Sequence, residues 1–357
     1  MKRFKSMQMF RLSGSGEQMG LIWSYLDGQY ELKEFAEELQ ERLAEFPVQD
    51  PSGSQWSQMG FVPPVDYSED LAFIPAHSRV VLLCIETRSR ILPGPTLRKA
   101  VEVRVEKLEQ NQGRKLSRKE RAELREDEEA VLLPRAFVKA SRVHVAIDGD
   151  RVFVFSSSAK VAEDVTALIR KAVGSFPTNY LVNAFDMANL LTAVLRDGEY
   201  SSERYGQIVP CMAATLEASE HEGGRIALKD EDLSDERVSG LLKEGYQCIR
   251  LAAQVSSHPG ESTDKYFRAT IGAGGGISGV KFSDVILSTE ENGDYDEDDR
   301  HIMDFESSFL LAVEAWRSFY DLLAEYHTKD ESTEGSGAHL DISTPAEEGG
   351  REKEVDF

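Results

Sequence analysis

Cysteine and histidine are scarce in this chain of 357 residues, which has three cysteines and seven histidines. Cys84, Cys211 and Cys248 lie far apart without CxxC spacing, and the histidines form neither an HExxH motif nor a Cys/His cluster. A disulfide framework and the usual zinc signatures are therefore excluded. No apolar run approaches the roughly 18 residues that a membrane-spanning helix needs, and the N-terminus lacks the apolar segment of a signal peptide. The sequence predicts a cytoplasmic protein without membrane contact, metal or other cofactor.

Motifs of catalysis are also lacking. Residues 274–279 satisfy G-x-G-x-x-G by letter, but strand-like sequence follows where a nucleotide-binding fingerprint needs a helix, so a hairpin turn is favoured. Alternate aspartates in residues 294–298 imitate the start of a calcium loop, yet Asp299 replaces its glycine and Phe305 its bidentate glutamate. We predict no catalytic residue and no enzyme, although a dispersed Ser-His-Asp set is left open.

The chain is acidic, with a formal net charge of −22. Residues 290–299 hold seven acids and no base, and residues 328–357 hold nine acids and three bases. These two segments account for more than half of the net charge. An acidic protein can still bind nucleic acid if its positive charge is confined to one surface where the field is focused. The composition therefore excludes a uniformly basic surface, but it does not exclude binding to nucleic acid.

The stretch 91–137 stands apart because it is dense in charge and bounded by prolines. Ser117 and Glu120 have the spacing of a capping box, in which each side chain satisfies a backbone donor of the other. A helix is therefore predicted to begin at Arg118. The apolar residues available for burial along this helix are few: Ala122, Leu124 and Val131.

Arginines recur on one face of that helix. Spacings of three and four place Arg118, Arg121 and Arg125 within one arc, which Arg114 joins if the helix extends backwards. Two interpretations remain open. The helices could form a solvated hairpin connected by ion pairs, or the arginines could form a basic stripe that binds phosphates. The spacing alone does not decide between them.

Periodicity outside this stretch predicts strands and helices in two similar halves, without a detectable sequence repeat. A hairpin is predicted around Asp148-Gly149-Asp150, and Ser234 is predicted to cap a helix. The first strand, at residues 4–12, alternates as a half-buried strand does. Further strands are predicted at 79–86, 143–147, 151–155, 246–255, 266–271 and 277–282, with helices at 32–46, 160–173, 186–195, 234–244 and 300–326. The last helix is expected to cover the second sheet.

Short blocks of sequence carry a family resemblance and keep their order from residue 1 to about 325. They include Phe10-Arg11-Leu12, Met59-Gly60-Phe61-Val62-Pro63-Pro64, Ile91-Leu92-Pro93-Gly94-Pro95, Leu132 to Phe137, Ser158-Ala159-Lys160, Arg170-Lys171, Gly223-Gly224 with Lys229, and Lys281-Phe282. Together these blocks resemble the RdgC family of bacterial recombination-associated proteins.

The resemblance implies a DNA-binding protein that is not an enzyme. Members of the family form a ring-shaped homodimer that encircles duplex DNA without sequence preference and restrains the RecA recombinase by competing for DNA. Double-stranded DNA in the nucleoid is thus the implied partner, and a role for single-stranded DNA is left open. The family's phenylalanine at the tip contact between subunits matches Phe137.

We predict ten cationic DNA contacts, which would go to phosphates and read no sequence. They are Arg114, Lys115, Arg118, Lys119, Arg121, Arg125, Lys160, Arg170, Lys171 and Lys229. Lys229 is followed by Asp230-Glu231, where some relatives carry a Lys-Gln pair. This departure weighs against further DNA contact from that loop.

The predicted fold class is α+β, with antiparallel sheets, packed helices and a helical tip insertion, in a horseshoe-shaped protomer that forms a ring dimer. The predicted domains are a central domain at 1–90 and 138–180, the helical tip insertion at 91–137, a base domain at 181–327 and a disordered acidic tail at 328–357. The alternative function is a protein-interaction module that acts on recombination or replication proteins, with DNA binding lost or secondary.

Overall fold

A computed structural model describes residues 4–13, 16–181, 184–218, 224–256, 266–283 and 297–334. Within these residues the chain forms eight α-helices and twelve strands. The helices are α1 (Gly16–Leu26), α2 (Leu32–Ala44), α3 (Gly94–Gln112), α4 (Arg118–Leu132), α5 (Ala159–Val173), α6 (Ala184–Asp197), α7 (Glu236–Lys243) and α8 (Glu297–Glu334). The strands are β1 (Gln8–Leu12), β2 (Ser57–Val62), β3 (Val81–Ile91), β4 (Phe137–Asp148), β5 (Arg151–Val154), β6 (Thr178–Tyr180), β7 (Tyr200–Ser202), β8 (Gly206–Ala218), β9 (Arg225–Lys229), β10 (Tyr246–Ser256), β11 (Tyr266–Gly272) and β12 (Ile277–Phe282).

The first sheet has the order β2-β3-β4-β5-β1-β6, and all its neighbours are antiparallel. The predicted hairpin is confirmed: Asp148 pairs with Arg151, and Gly149 has a φ of 61°, which a side chain would disfavour. Strand β1 lies between β5 and β6, and its Gln8, Met9 and Phe10 are all buried. The prediction of a half-buried first strand was therefore wrong, because the sheet is covered on both faces.

Helices α1, α2 and α5 cover one face of the first sheet. Helix α2 buries Phe35, Leu39 and Leu43, which recur at helical spacing as predicted. Helix α5 buries Val165 and Ile169 in the same core, and it ends at Gly174, as predicted.

The second sheet has the order β12-β11-β10-β8-β7, with β9 paired to β8, and its strands are also antiparallel. The three strands predicted from residue 246 onward are confirmed as β10, β11 and β12. A glycine-rich turn joins the last two, where the Gly272 amide donates to the Gly276 carbonyl at 2.9 Å. The predicted cap of α7 was wrong by one residue: Asp235 accepts from the Arg237 amide at 3.1 Å, while Ser234 donates to Asp232.

Helix α8 packs against both sheets, whereas the sequence predicted that it would cover the second sheet. Trp316 is fully buried and contacts Phe155 of the first sheet at 4.9 Å and Phe282 of the second at 5.7 Å between ring centroids. Arg317 donates twice to the buried Asp148 at the β4–β5 turn, at 2.5 and 2.6 Å. One continuous apolar core therefore connects α8 with both sheets. The predicted α+β class with antiparallel sheets and packed helices is confirmed.

The helical insertion (residues 91–137) is carried by the far ends of β3 and β4. These strands stay paired from Val81–Ile147 to Ile91–Phe137, but next to the insertion β4 is exposed and β3 is half-buried. Glu86 is buried where this ribbon leaves the sheet, and it accepts from Arg88 and Arg142, each at 2.8 Å. Burial alone would raise the pKa of Glu86, but the two arginines outweigh it and lower the pKa.

Helix α8 extends to Glu334 and so includes the start of the predicted acidic tail. Residues 335–357 of that tail, and residues 294–296 of the sequence that imitates a calcium loop, lie outside the described residues. Every helix in the described part of the chain is too short or too polar to cross a bilayer.

Candidate nucleic-acid interface

The helical insertion has a small apolar core of its own. Val105 of α3 packs with Leu116 and with Leu124 of α4, and these three are the buried residues of the cluster. Of the residues predicted to be available for burial on α4, Leu124 is buried, whereas Val131 is 50% exposed. The insertion is therefore held together largely by polar contacts at its surface.

Several cations of the insertion contact carboxylates beside them. Arg114 donates to both oxygens of Glu120, at 2.6 and 3.0 Å, and Arg121 donates to Glu109 at 2.8 Å. The Lys119 ammonium lies 4.0 Å from Glu123 one turn along α4. These three predicted DNA contacts thus have their charge compensated within the insertion.

The capping box at the start of α4 is confirmed. Ser117 Oγ accepts from the Glu120 amide at 3.3 Å, and Glu120 Oε2 accepts from the Ser117 amide at 2.8 Å. The hydrogen bond from Arg114, followed by those from Ser117, lowers the pKa of Glu120 to about 2. Glu120 therefore connects the helix cap with the nearest cation.

Lys115, Arg118 and Arg125 remain exposed on the insertion, and none of them makes an ion pair with another of the described residues. Arg121 lies between Arg118 and Arg125 on the helical face, and its charge is compensated by Glu109. Along the predicted arc, Arg114 and Arg121 are therefore paired with carboxylates, whereas Arg118 and Arg125 form no ion pair with another described residue.

An apolar patch lies where the ribbon meets the insertion. Phe137 is 84% exposed, and its register partner Ile91 and its neighbour Val138 are also exposed. Exposed aromatic side chains beside aliphatic ones are typical of contact surfaces for another protein. The structure leaves Phe137 free of intramolecular packing, which is compatible with the predicted contact between subunits.

The predicted contacts on α5 lie at opposite ends of the helix and are not brought together. Lys160 is exposed in the first turn. In the last turn, Arg170 donates to the Phe176 carbonyl at 3.1 Å, and the Lys171 ammonium lies 5.2 Å from the centroid of the Phe46 ring. Arg170 and Lys171 therefore have structural contacts near the C-terminus of α5.

The open face of the second sheet has a charge composition unlike that of the whole chain. The six strands contain one acidic residue, Glu217, and five basic ones. The basic residues are Arg225, Lys229, Arg250, Arg268 and Lys281, all of which are exposed. Glu217 accepts from Arg225 at 2.6 Å, so its charge is compensated.

Strand alternation places these cations together. Arg250 precedes buried Leu251, and Arg268 lies between buried Phe267 and Ala269, so each side chain leaves the sheet on the side opposite the core. Arg268 lies directly opposite Lys281 in the register of β11 and β12. Like charges directly opposite each other on paired strands are destabilising, and an anion bound between them would relieve that repulsion.

Neighbouring side chains hold Arg268 in place on this face. Its Nε donates to Gln254 Oε1 at 3.2 Å, and its guanidinium lies 5.4 Å from the centroid of the Tyr266 ring. A guanidinium held by one nitrogen still presents its remaining donors to a phosphate. Lys229 of β9 extends this face at its far side, opposite Ala213.

The two acidic residues after Lys229 carry less uncompensated negative charge than the sequence indicates. Asp230 adopts a φ of 54°, and Glu231 contacts Arg237 of α7 at 3.4 Å. The second of the two carboxylates is therefore partly compensated within the chain.

Arg225, Arg250, Arg268 and Lys281 were not predicted as site residues. A signal was available for the last three, because each lies in a predicted strand at a position that alternates with apolar residues. Arg225 lies outside the predicted strands. The signal was overlooked because these cations are widely separated in sequence and form no cluster there.

The described residues contain no group of three or more His, Cys, Asp or Glu side chains that could hold a metal ion. Burial raises the pKa of the Cys248 thiol to about 12 and also raises that of Cys211, which is partly offset by Arg268 nearby. Both thiols are therefore protonated at neutral pH.

Fold and site together define a class: an α+β protein whose second antiparallel sheet presents an open, cationic face and whose first sheet carries a helical insertion. The family model described as "Putative exonuclease, RdgC" matches residues 26–328. The chain is 31% identical over 279 residues to the recombination-associated proteins RdgC of Salmonella typhimurium and Salmonella typhi, which covers 77% of this chain and 86% of each relative. The chain belongs to the RdgC family, as its sequence blocks indicated.

Proposed function

We propose that this protein binds double-stranded DNA without sequence preference and that the open face of the second sheet supplies its main phosphate contacts. The observation that carries the proposal is the charge composition of that sheet in a chain of net charge −22. Of its five outward cations, Arg225 is paired with the one carboxylate, Glu217, and the other four have no carboxylate partner among the described residues. Such local concentration of positive charge focuses the field on one surface. Cations that contact phosphates position DNA and read no base.

Exposed cations elsewhere would add contacts at the edges of the bound duplex. Among the contacts predicted from the sequence, these are Lys115, Arg118 and Arg125 of the insertion, with Lys160 of α5. Arg114, Lys119, Arg121, Arg170 and Lys171 would contribute less, because each already has an intramolecular partner.

The protein would act as a ring dimer of horseshoe-shaped protomers in the nucleoid, where it would restrain RecA by occupying DNA. The curated relatives are named recombination-associated proteins, which supports this setting. Phe137 would close the ring by apolar contact with the second protomer. Its exposure supports that role, since an apolar ring in water gains free energy when a partner covers it.

The test is binding of a fluorescent random-sequence duplex across a salt series. The logarithm of the affinity should fall with the logarithm of salt, and each phosphate contact contributes about 0.9 to the slope. Replacing Arg268 and Lys281 by Gln should reduce the slope by about 1.8. The matched control replaces Lys33 and Arg196, which lie on α2 and α6 and away from this face. An equal slope in both double variants would contradict the proposal.

The protein-interaction alternative is favoured by one observation, the exposed patch of Phe137, Ile91 and Val138. In that case duplex affinity would be weak and nearly independent of the sheet-face cations, while RecA or another recombination protein would be retained by the patch. The family description also raises exonuclease activity. We propose binding without cleavage, and incubation of end-labelled duplex with Mg²⁺ or Mn²⁺ tests this, because shortening of the strands by the pure protein would contradict it.

A further inference from the structure

Four cations on the open face of the second sheet have no carboxylate partner among the described residues: Lys229, Arg250, Arg268 and Lys281. Helices α6, α7 and α8 pack on the other face of this sheet and form the core with it. The cations are therefore exposed in a chain whose formal net charge is −22. Because opposite charges attract each other across about 10 Å at about 0.1 M salt, an acidic segment of the same chain can occupy this face.

One row of paired residues crosses the sheet and carries two of these cations side by side. In this row Gln254 of β10 pairs with Arg268 of β11, and Arg268 pairs with Lys281 of β12. The adjacent row starts at Tyr200 of β7, which pairs with Ile208 of β8, and Ile208 pairs with the residue after Gln254. Tyr200 therefore lies at the edge of the sheet, level with the two opposed cations.

Helix α8 ends beside that edge. Its Glu325 accepts from Ser202 Oγ of β7 at 2.6 Å, and the rings of Tyr326 and Tyr200 lie 5.4 Å apart between centroids. The helix continues from Tyr326 to Glu334, which adds about 12 Å at 1.5 Å per residue. The chain therefore leaves α8 within about 12 Å of the β7 edge, at the level of the row that carries the opposed cations.

The segment that follows α8, residues 335–357, is acidic and long enough to reach the open face. This tail segment holds six acids and two bases, and it lies beyond residue 328, where the match to the family model ends. Neighbouring strands lie about 4.8 Å apart, so β12 is about 19 Å from β7 across the sheet. Packed layers add about 10 Å. An extended chain spans about 3.3 Å per residue, or about 76 Å for the tail segment, which exceeds the distance needed.

The open face suits an acidic segment better than the helical insertion does. In the insertion, acids such as Glu123 lie among the cations and would repel other carboxylates. On the open face the one carboxylate, Glu217, is compensated by Arg225 at 2.6 Å. Arg268 and Lys281 lie directly opposite each other, and like charges in that arrangement are destabilising. A carboxylate placed between them relieves the repulsion.

We propose that the tail segment docks on the open face of the second sheet and competes there with the phosphates of DNA. The inference rests on the proposed function, because the tail segment regulates the surface that binds DNA. An attached segment has an effective concentration in the millimolar range. At about 4 mM, a contact with a Kd of about 1 mM is occupied most of the time and weakens duplex binding about fivefold.

The first experiment measures duplex binding by three chains at about 50 mM and about 300 mM salt. They are the full chain, a chain that ends at Glu334, and a full-length chain whose tail acids are replaced by the corresponding amides. The last is the matched control, because it removes charge and keeps length. The replaced acids are Asp341, Glu347, Glu348, Glu352, Glu354 and Asp356.

We expect both altered chains to bind the duplex about fivefold more tightly than the full chain at the lower salt concentration. At the higher concentration the gain should fall below about twofold, because salt screens the docking contact. Equal affinity of the three chains at the lower salt concentration would overturn the proposal.

The same truncation in a chain with Arg268→Gln and Lys281→Gln separates docking from general repulsion of DNA. If the tail segment docks on these cations, its removal gains less than about twofold in that background. In the control background, Lys33→Gln with Arg196→Gln, the fivefold gain should be kept. A fivefold gain in both backgrounds would mean that the tail segment repels DNA without occupying the face, and the proposal would be wrong.

Carbodiimide crosslinking tests the contact without DNA, because the reagent joins a lysine amine to a carboxylate beside it. We expect mass spectrometry to find Lys229 and Lys281 joined to acids of the tail segment, and added duplex to suppress these products. The control is Lys243 of α7, which is exposed on the helix-covered side of the same sheet and should react less.

Two crosslinking results would overturn the proposal. One is an equal yield at Lys281 and Lys243. The other is a set of crosslinks from Lys229 and Lys281 to residues 284–296 alone, which would make that acidic segment the occupant. Absence of duplex binding by all three chains would contradict the proposed function and with it the competition. The crosslinks would still decide whether the tail segment docks on the open face.

Discussion

The helical insertion and the open face of the second sheet both carry clustered cations, but the surroundings of those cations differ. In the insertion, Arg114 and Arg121 each lie within 3 Å of a carboxylate. On the sheet, Arg268 lies opposite another cation, Lys281, and the carboxylate of the sheet is compensated elsewhere. The insertion (residues 91–137) holds eleven basic and nine acidic residues, whereas the six strands of the sheet hold five basic and one acidic, so the sheet has the larger excess of positive charge.

The difference follows from how helices and strands bring charges together. A helix places residues three and four apart beside each other, so a mixed-charge run forms ion pairs within itself. A sheet brings together residues from distant parts of the chain, and strand alternation sends them to one side. Arg225 and Lys281 share a face although they are far apart in sequence. Clusters of cations in a sequence therefore do not by themselves locate a positive surface.

Charge reversal is the strongest way to test this comparison. Arg268→Glu with Lys281→Glu should lower duplex affinity on the order of 100-fold at 50 mM salt, since two phosphate contacts are lost. The matched pair Arg118→Glu with Arg125→Glu, in the insertion, should lower it by less than about tenfold. Anisotropy titrations with one duplex measure both. A larger loss in the insertion pair would place the main DNA contacts on α4 and reverse the comparison.

A substitution at Phe137 tests whether the insertion serves protein contact instead. Phe137→Ser should leave the thermal stability of the protomer within about 0.5 kcal/mol, as for other surface positions. It should weaken self-association by at least about 30-fold, because burying one phenylalanine ring contributes about 2 kcal/mol and the homodimer loses two. Sedimentation equilibrium gives the dissociation constant. Met212→Ser is the control, because Met212 is an exposed apolar side chain on β8. Equal self-association in both variants would remove Phe137 from the interface.

Glu86 tests how firmly the ribbon attaches the insertion to the first sheet. Glu86→Gln removes the charge that bridges Arg88 and Arg142 and should lower the free energy of unfolding by about 1.5 kcal/mol. Urea denaturation measures it, with the exposed Glu41→Gln on α2 as the control.

The same residue predicts a pH dependence. The folded pKa of Glu86 is lower than its ordinary value of 4.5, so its stabilisation is complete above pH 4.5 and is lost as the pH falls below that value. Glu86→Gln should remove this part of the acid sensitivity. An unchanged pH profile would mean that Glu86 contributes nothing as an anion.

Local patterns predicted much of the fold. The capping box of Ser117 and the hairpin turn at Gly149 depend on residues close in sequence, and both were found where predicted. The stripe of α2 and the last strands were found for the same reason, since hydrophobic periodicity reports burial within one element.

What the sequence could not show depends on contacts between distant elements. Strand β1 is buried on both faces because α8, nearly 300 residues later, covers its second side. The open cationic face likewise needs the order of the strands, which periodicity does not supply. The ion pairs of the insertion were foreseen as one of two interpretations, because they are local.

The smallest effect is expected at the start of α4, where the ion pairs and the cap coincide. Ser117→Ala should cost about 1 kcal/mol of local helix stability, as the loss of an N-cap does. Amide exchange at Glu120 should rise while exchange in the second sheet is unchanged.

The folded pKa of Glu120 is about 2, compared with an ordinary value of 4.5, so its contribution is present above pH 4.5 and is lost between pH 4.5 and 2. Protection factors, which correct for the intrinsic pH dependence of amide exchange, should therefore fall in the insertion across this range before the sheet unfolds. In Glu120→Gln they should be lower above pH 4.5 and should lack this pH dependence. If exchange at α4 follows that of the sheet throughout, the insertion does not open independently, and its ion pairs stabilise the whole protomer.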